Sequence, residues 1–162
     1  MYFLLLVLHS GLRWIVIALG LAALARALTA LRRRAPWGRT DERLARGFLA
    51  ALDTQVLVGI VLWLFFSPFA QVFRQSPGAA MRDSMVRFWG MEHQVGMLLA
   101  FLAAHVGRSL QRRRADARAK HRTQAIALLV WTALVASSFP WPGTGHARPL
   151  LRVPEATGLA TP

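Results

Sequence analysis

The sequence predicts an all-α integral membrane protein, an antiparallel four-helix bundle with both termini on the outer, periplasmic side. Three observations predict this fold. The 162 residues are 55% hydrophobic and only 17% charged, a balance too apolar for most soluble domains of this length. The apolar residues gather in four blocks, and each block comes close to the roughly 20 residues that cross a hydrocarbon core. The basic residues flank two of the three connections between those blocks.

The first two predicted helices are marked by charge and proline. The first covers residues 2–31 and carries Arg26 near its end, where a long side chain reaches the interface. Acidic residues at 41–42 are typical of a first helical turn, and the apolar part of the second helix covers residues 47–66. The second helix ends at Ser67-Pro68, because the residue before a proline is disfavoured in helical conformation.

The second half of the chain completes a four-helix unit over residues 1–142. We expect the connection 67–87 to cover the outer side, with a short surface helix around residues 78–85. The third and fourth helices are predicted at residues 88–107 and 123–139. The fourth ends where Pro140 and Pro142 forbid continuation, and residues 143–162 are predicted to form an irregular tail.

The positions of the basic residues along the chain indicate how the helices are oriented in the membrane. The formal net charge is +13, and fourteen of the twenty Lys and Arg lie between Arg26 and Arg46 or between Arg108 and Arg122. The positive-inside rule then places the first and third connections in the cytoplasm and both termini outside. We interpret these charges as topogenic and as attraction to anionic membrane lipids, and not as a nucleic-acid interface.

Composition also excludes several kinds of chemistry. The chain has no cysteine, which excludes disulfides, thiolate metal sites, iron–sulfur clusters and covalently attached c-type haem. Any iron would need His or Met ligands. No G-x-S-x-G, P-loop, dinucleotide-binding glycine pattern or H-E-x-x-H occurs, so the common soluble catalytic templates are absent as well.

Ionisable residues inside apolar helices are the candidate functional residues, because hydrocarbon offers them no partner. They are His9, Arg13, Asp53, Glu92, His93 and His105. His9 and His93 both fall in the outer third of their helices, at about 1.5 Å of rise per residue. Two imidazoles at one level of a bundle are what a bis-histidine b-type haem requires, so both are predicted metal ligands. A polar packing contact or a quinone site is the alternative.

Arg13 and Asp53 are expected to neutralise each other. Arg13 lies one turn from His9 on the same helical face and is a candidate partner for a haem propionate. Its depth, however, matches Asp53 better than the aqueous side, so we expect an Arg13–Asp53 pair.

The surroundings of His93 offer two further expectations. Gly90 and Gly96 each lie three residues away, which predicts a thin stripe where a flat ring can approach the backbone. Glu92 is a candidate to orient the His93 imidazole, or to relay protons beside a quinol.

The other histidines give weaker evidence of a functional site. His105 is twelve residues from His93 and about 120° away around the helix, so a second haem on that face is not expected. His121, among basic residues, is predicted to be an ordinary interfacial residue.

Several short motifs resemble a small bacterial family of four-helix membrane proteins often labelled cytochrome-b-like. They are His9-Ser10-Gly11-Leu12-Arg13-Trp14, Gln55 with Gly59 and Ser67-Pro68, Glu92-His93, Lys120-His121-Arg122 and Pro140-Trp141-Pro142. The resemblance covers residues 1 to about 142 and implies a haem and electron transfer. It points to His9, Arg13, Glu92, His93 and His121 as site residues. Relatives often place a His before the Gln of the second helix, where this chain has Thr54.

The leading interpretation is a b-type cytochrome-like subunit of the bacterial inner membrane, with haem b held by His9 and His93. It would pass electrons between a quinol and a partner protein. The alternative is a cofactor-free accessory subunit of a larger respiratory or photosynthetic complex. A transporter is disfavoured, because four helices with few central polar groups leave little room for a pathway.

Overall fold

The computed structural model describes residues 1–148, and over that part of the chain the regular secondary structure is entirely helical, which confirms the all-α class. The helices are α1 (Tyr2–Arg33), α2 (Arg39–Val61), α3 (Pro68–Gln75), α4 (Pro77–Ala80), α5 (Ser84–Arg87), α6 (His93–Arg112) and α7 (Ala117–Ser137). A π-helical turn, Leu62–Phe66, extends α2, and a second, Phe88–Glu92, leads into α6. Of the predicted tail, residues 143–148 form turns, and residues 149–162 lie outside the described residues.

The four long helices, α1, α2, α6 and α7, pack side by side with neighbours running antiparallel. Contacts between α1 and α2 pair His9 with Gln55 and Arg26 with Asp41, which is possible only for opposite directions. Helix α7 contacts both α1 and α6, whereas the contact between α2 and α6 is thin. Space is therefore left between α2 and α6, and residues of both helices line the cavity described below.

The long helices continue beyond their apolar blocks at one end, which we call the basic end (residues 26–46 and 108–122). There α1 runs to Arg33, and Arg34 closes it in a left-handed conformation with φ 53°. Helix α2 begins at Arg39, because Asp41 accepts a hydrogen bond from the Gly38 amide at 2.9 Å. Helical hydrogen bonding needs no apolar side chains, so the helices extend past the predicted boundaries.

The opposite end carries the connection between α2 and α6, and we call it the α3–α5 end. Helix α3 starts directly after Ser67, whose Oγ accepts a hydrogen bond from the Ala70 amide at 3.2 Å. The predicted surface helix near residues 78–85 is replaced by this earlier helix and by the short α4 and α5. The two π-helical turns meet here, where the Trp63 indole N–H donates to the Gly90 carbonyl at 2.9 Å.

A seam of small residues joins α6 to α7. A Cβ at Gly96 would overlap the Ser138 hydroxyl and lie 2.6 Å from its Cβ, and a Cβ at Gly107 would overlap Ala127. Ala100 and Ala104 complete the seam and are almost fully buried. The stripe of small residues beside His93 therefore admits α7 and not a flat ring, which corrects the expectation from Gly96. The space beside Gly90 is likewise occupied, since an added Cβ there would lie 3.0 Å from Phe73 Cβ.

Two of the helices are long and apolar enough to cross a membrane, Tyr2–Arg33 and the continuous helical segment Arg39–Phe66. Large apolar side chains also lie exposed along all four long helices. Among the most exposed are Ile15, Leu57, Leu98, Leu102, Val106, Ile126 and Leu129. Exposed large apolar side chains therefore occur on every one of the four long helices.

Candidate functional site

A cavity of about 670 Å³ lies between the four long helices at the α3–α5 end. Helix α3 covers it, and aromatic side chains form much of its wall: Trp63, Phe69, Phe73, Trp89 and Phe139. Its volume falls within the range of natural ligand and cofactor cavities. Both predicted metal ligands, His9 from α1 and His93 from α6, line this cavity.

His9 is held by α2. Its Nε2 lies 3.2 Å from the side-chain nitrogen of Gln55, and its ring packs on Gly59, where an added Cβ would lie 3.0 Å from Cε1. The other ring nitrogen, Nδ1, is buried without a hydrogen-bond partner among the described residues. One face of α2, with Gln55 and Gly59 four residues apart, therefore orients this imidazole and leaves one nitrogen available.

His93 is held by the end of α7. Its Nδ1 lies 2.9 Å from the carbonyl oxygen of Ser138, to which it donates a hydrogen bond. That bond fixes the tautomer and leaves Nε2 with a lone pair, as a backbone carbonyl that accepts from the other ring nitrogen does for metal-binding imidazoles. Ser138 is buried and sits against Gly96, so the small-residue seam between α6 and α7 indirectly positions His93.

Arg13 lines the same cavity but is not paired with Asp53. Its guanidinium carbon lies 5.0 Å from the Phe139 ring centroid, and its Nη2 lies 3.4 Å from the Ser10 hydroxyl. Asp53 instead accepts a hydrogen bond from His105 Nε2 at 2.7 Å. The expected Arg13–Asp53 pair is thus wrong. The cavity face of α2 includes Leu52, Gln55, Val56 and Gly59, and Asp53 is rotated off that face.

Glu92 does not join the cavity lining. Its carboxylate lies 2.6 Å from Arg87 Nε, on the exposed side of the π-helical turn Phe88–Glu92. A residue directly before His93 points about 100° away around a helix, so the two side chains diverge. The structure therefore separates Glu92 from the imidazole that it was expected to orient.

Several cavity-lining polar atoms are buried and have no hydrogen-bond partner within the described part of the chain. Besides His9 Nδ1 they include Gln55 Oε1, Trp89 Nε1, Gln94 Oε1 and Trp131 Nε1. Native proteins rarely leave such atoms unpaired unless an ion, water or ligand satisfies them. The packing of the helices brings the Trp89 N–H to the cavity.

Arg148 is a second cavity residue that the sequence did not indicate. It follows α7 by eleven residues and lines the cavity at the α3–α5 end. Its guanidinium carbon lies 5.2 Å from the Trp89 ring centroid and 5.6 Å from that of Phe69. No spacing pattern links Arg148 to the helices, so no sequence signal was available.

The remaining histidines lie outside the cavity. His105 lies on the exposed side of α6 with Asp53. His121, predicted as an interfacial residue, is instead 1% exposed and packs on Trp37 with ring centroids 4.9 Å apart. Burial against the first connection, which folds over the start of α7, explains the difference. No group of three or more His, Cys, Asp or Glu that could hold a metal occurs within residues 1–148.

Comparison with protein-family models, with curated proteins and with solved structures finds no match for this chain. The function of the chain must therefore be inferred from the cavity and its residues.

Proposed function

We propose that this protein is a b-type cytochrome-like subunit whose four long helices span the bacterial inner membrane. The basic end faces the cytoplasm and both termini face the periplasm. Two helices of spanning length, the exposed apolar faces and the concentration of Arg and Lys at one end support this placement. In this orientation the cavity lies in the outer half of the membrane, and the protein passes electrons between a quinol and a partner protein.

The observation that carries the proposal is the pair of imidazoles on one large apolar cavity. His9 and His93 come from different helices, and each is anchored through one ring nitrogen. Bis-histidine ligation needs this arrangement, because the second nitrogen of each ring must be left for the iron. Bound haem b would supply reversible one-electron chemistry at the level of these two rings.

The unpaired atoms around His9 fit the same role. A glutamine amide presents oxygen or nitrogen at nearly the same position. When Gln55 Oε1 accepts a hydrogen bond from His9 Nε2–H, the buried amide oxygen is satisfied and Nδ1 carries the lone pair. Nδ1, which has no hydrogen-bond partner among the described residues, would then be the atom of His9 that could hold the iron of a bound haem.

Donors at the α3–α5 end fit the carboxylates of haem b. The Trp89 indole N–H has no hydrogen-bond partner within residues 1–148, and the guanidinium of Arg148 lines the cavity beside it. Both can donate to a propionate, and an Arg fork matches carboxylate geometry. Arg13 lies deeper in the cavity and contributes positive charge near the two imidazoles.

A visible spectrum of the purified full chain in mild detergent tests the proposal. We expect a reduced-minus-oxidised absorbance band with one haem per chain, and its loss in His9→Ala and in His93→Ala. Leu8→Ala is the matched control, because Leu8 is the exposed neighbour of His9 on α1 and should leave the band unchanged.

The contradicting outcome is a colourless wild-type protein whose circular dichroism shows intact helices after growth with added haem precursor. If that colourless chain also co-purified with a larger membrane complex, the result would favour a cofactor-free accessory subunit.

A further inference from the structure

Outside the cavity, α2 and α6 are joined by a carboxylate–imidazole pair. His105 Nε2 lies 2.7 Å from Asp53 Oδ1. The pair is open to the surroundings, since the His105 and Asp53 side chains are 37% and 50% exposed. It occupies the α2–α6 side of the protein, where the two helices make only thin contact.

The surroundings of the pair are apolar. Leu57 on α2 and Leu102 and Val106 on α6 are all exposed on neighbouring turns. In the proposed membrane these side chains contact lipid. Asp53 then lies about 10 Å along its helix from Arg46, and His105 about 5 Å from Arg108, so the pair sits just inside the cytoplasmic headgroups.

An ionisable pair exposed to lipid is costly to maintain and marks a functional position. Packing does not account for it, because half of the Asp53 side chain contacts no protein. The pair is also separate from the cavity, whose lining includes Leu52 but neither Asp53 nor His105. Its polar groups therefore point to a ligand that reaches them through the membrane.

The geometry also defines what the pair can bind. His105 Nε2–H donates to the Asp53 carboxylate, which fixes the tautomer and leaves the Nδ1 lone pair as an acceptor. A carboxylate behind an imidazole stabilises the imidazolium that forms when the imidazole takes a proton. The Phe101 ring, with its centroid 4.3 Å from that of His105, offers a flat apolar surface beside this acceptor.

We propose that Asp53 and His105 bind the hydroxyl head of a lipid-dissolved hydroquinone, the quinol class of molecule. The hydroxyl donates a hydrogen bond to His105 Nδ1, while the Asp53 carboxylate holds the imidazole in the tautomer that accepts it. This inference rests on the proposed function for the membrane setting and for the quinol as substrate, and it names where the quinol binds.

Calorimetric titration of the full chain in detergent with a decyl-tailed hydroquinone tests the inference. We expect Asp53→Asn and His105→Gln each to weaken binding by about tenfold or more, since the first removes the carboxylate that fixes the His105 tautomer and the second removes the accepting Nδ1. Thr54→Ala is the matched control. Thr54 neighbours Asp53 and is exposed, but its hydroxyl bonds the Ala50 carbonyl of its own helix at 2.9 Å.

The dimethyl ether of the same hydroquinone separates hydroxyl donation from simple partitioning. It has the same apolar body and no donor, so we expect wild-type protein to bind it about tenfold or more less tightly than the hydroquinone. Equal affinity of the ether and the hydroquinone for wild-type protein would overturn the inference. This comparison needs no variant, so it decides the matter even if a substitution at Asp53 or His105 prevents folding.

Two other outcomes would also overturn it. One is unchanged hydroquinone affinity in Asp53→Asn and His105→Gln. The other is a change from dimer to monomer in these variants at unchanged affinity, which would assign the pair to a contact with a second copy of the chain. Calorimetry measures binding whether or not the protein holds a coloured haem. A colourless chain that binds hydroquinone through this pair therefore contradicts only the haem proposal.

Discussion

Replacing Gly96 with alanine tests the seam between α6 and α7 and its hold on His93. The added Cβ would overlap the Ser138 hydroxyl and lie 2.6 Å from its Cβ, so the end of α7 must shift. Overpacking of this kind costs about 1–3 kcal/mol, and weakening the His93–Ser138 hydrogen bond adds about 1 kcal/mol. The better helix propensity of alanine offsets about 1 kcal/mol. We expect a net loss of about 2 kcal/mol, or roughly 30-fold in the folding equilibrium.

The measurement is unfolding in detergent micelles by increasing amounts of SDS, followed by circular dichroism. Gly11→Ala is the control, because a Cβ at Gly11 has no atom within 4 Å and changes only helix propensity. A Gly96→Ala protein as stable as Gly11→Ala would refute the close approach of the two helices. In the haem-loaded protein, the same substitution should also lower haem content, because His93 loses its anchor.

The remaining predictions concern Gly59 and Glu42. Gly59→Ala places a Cβ 3.0 Å from His9 Cε1 and displaces that ring, so haem content should fall severalfold at unchanged helix content; full content would contradict the packing. Glu42 lies before the apolar part of α2, and the hydrogen bond from Arg108 lowers the pKa of its carboxyl below 4.5. Wild type should therefore be more stable than Glu42→Gln by about 0.5–1 kcal/mol at neutral pH, a small value because the group is partly exposed. Because the folded-state pKa is the lower one, this advantage is present above the ordinary pKa of Glu and lost as the pH falls through the lowered pKa. Thermal unfolding across that range measures it, and a difference that persists at lower pH would contradict the ion pair.

Depth along a helix could be predicted from the sequence, because each residue adds a constant rise. That arithmetic placed His9 and His93 at one level, and in the structure both line one cavity. The direction in which each side chain points around its helix was harder to predict, because it can be worked out only from one residue whose orientation is already known. Once Gln55 contacts His9, the 200° of rotation between Gln55 and Asp53 turns Asp53 off the cavity face.

The partners of the site residues could not be predicted, because they depend on how the helices pack. Ser138 binds His93 through a backbone carbonyl, a group that every residue carries, so sequence offers no signal for it. Arg148 reaches the cavity through a turn after α7. Gly96 leaves room beside His93, as its spacing predicts, but α7 occupies that room where the sequence led us to expect a flat ring, because the occupant depends on how the helices pack.

The π-helical turn Phe88–Glu92 makes the chain length adjustable at one position. A π turn holds about one residue more than an α turn, so a one-residue deletion there would let the backbone continue as a regular α-helix. Because the residue removed is the extra one of the π turn, the helix on either side would keep nearly the same rotation. The small-residue seam beyond His93 would keep its register, while Phe88 and Trp89, whose rings lie 5.9 and 5.3 Å from the His93 ring, would rearrange locally because they belong to the π turn itself. One removed residue would thus alter the aromatic surroundings of His93 without unfolding the helix that carries it.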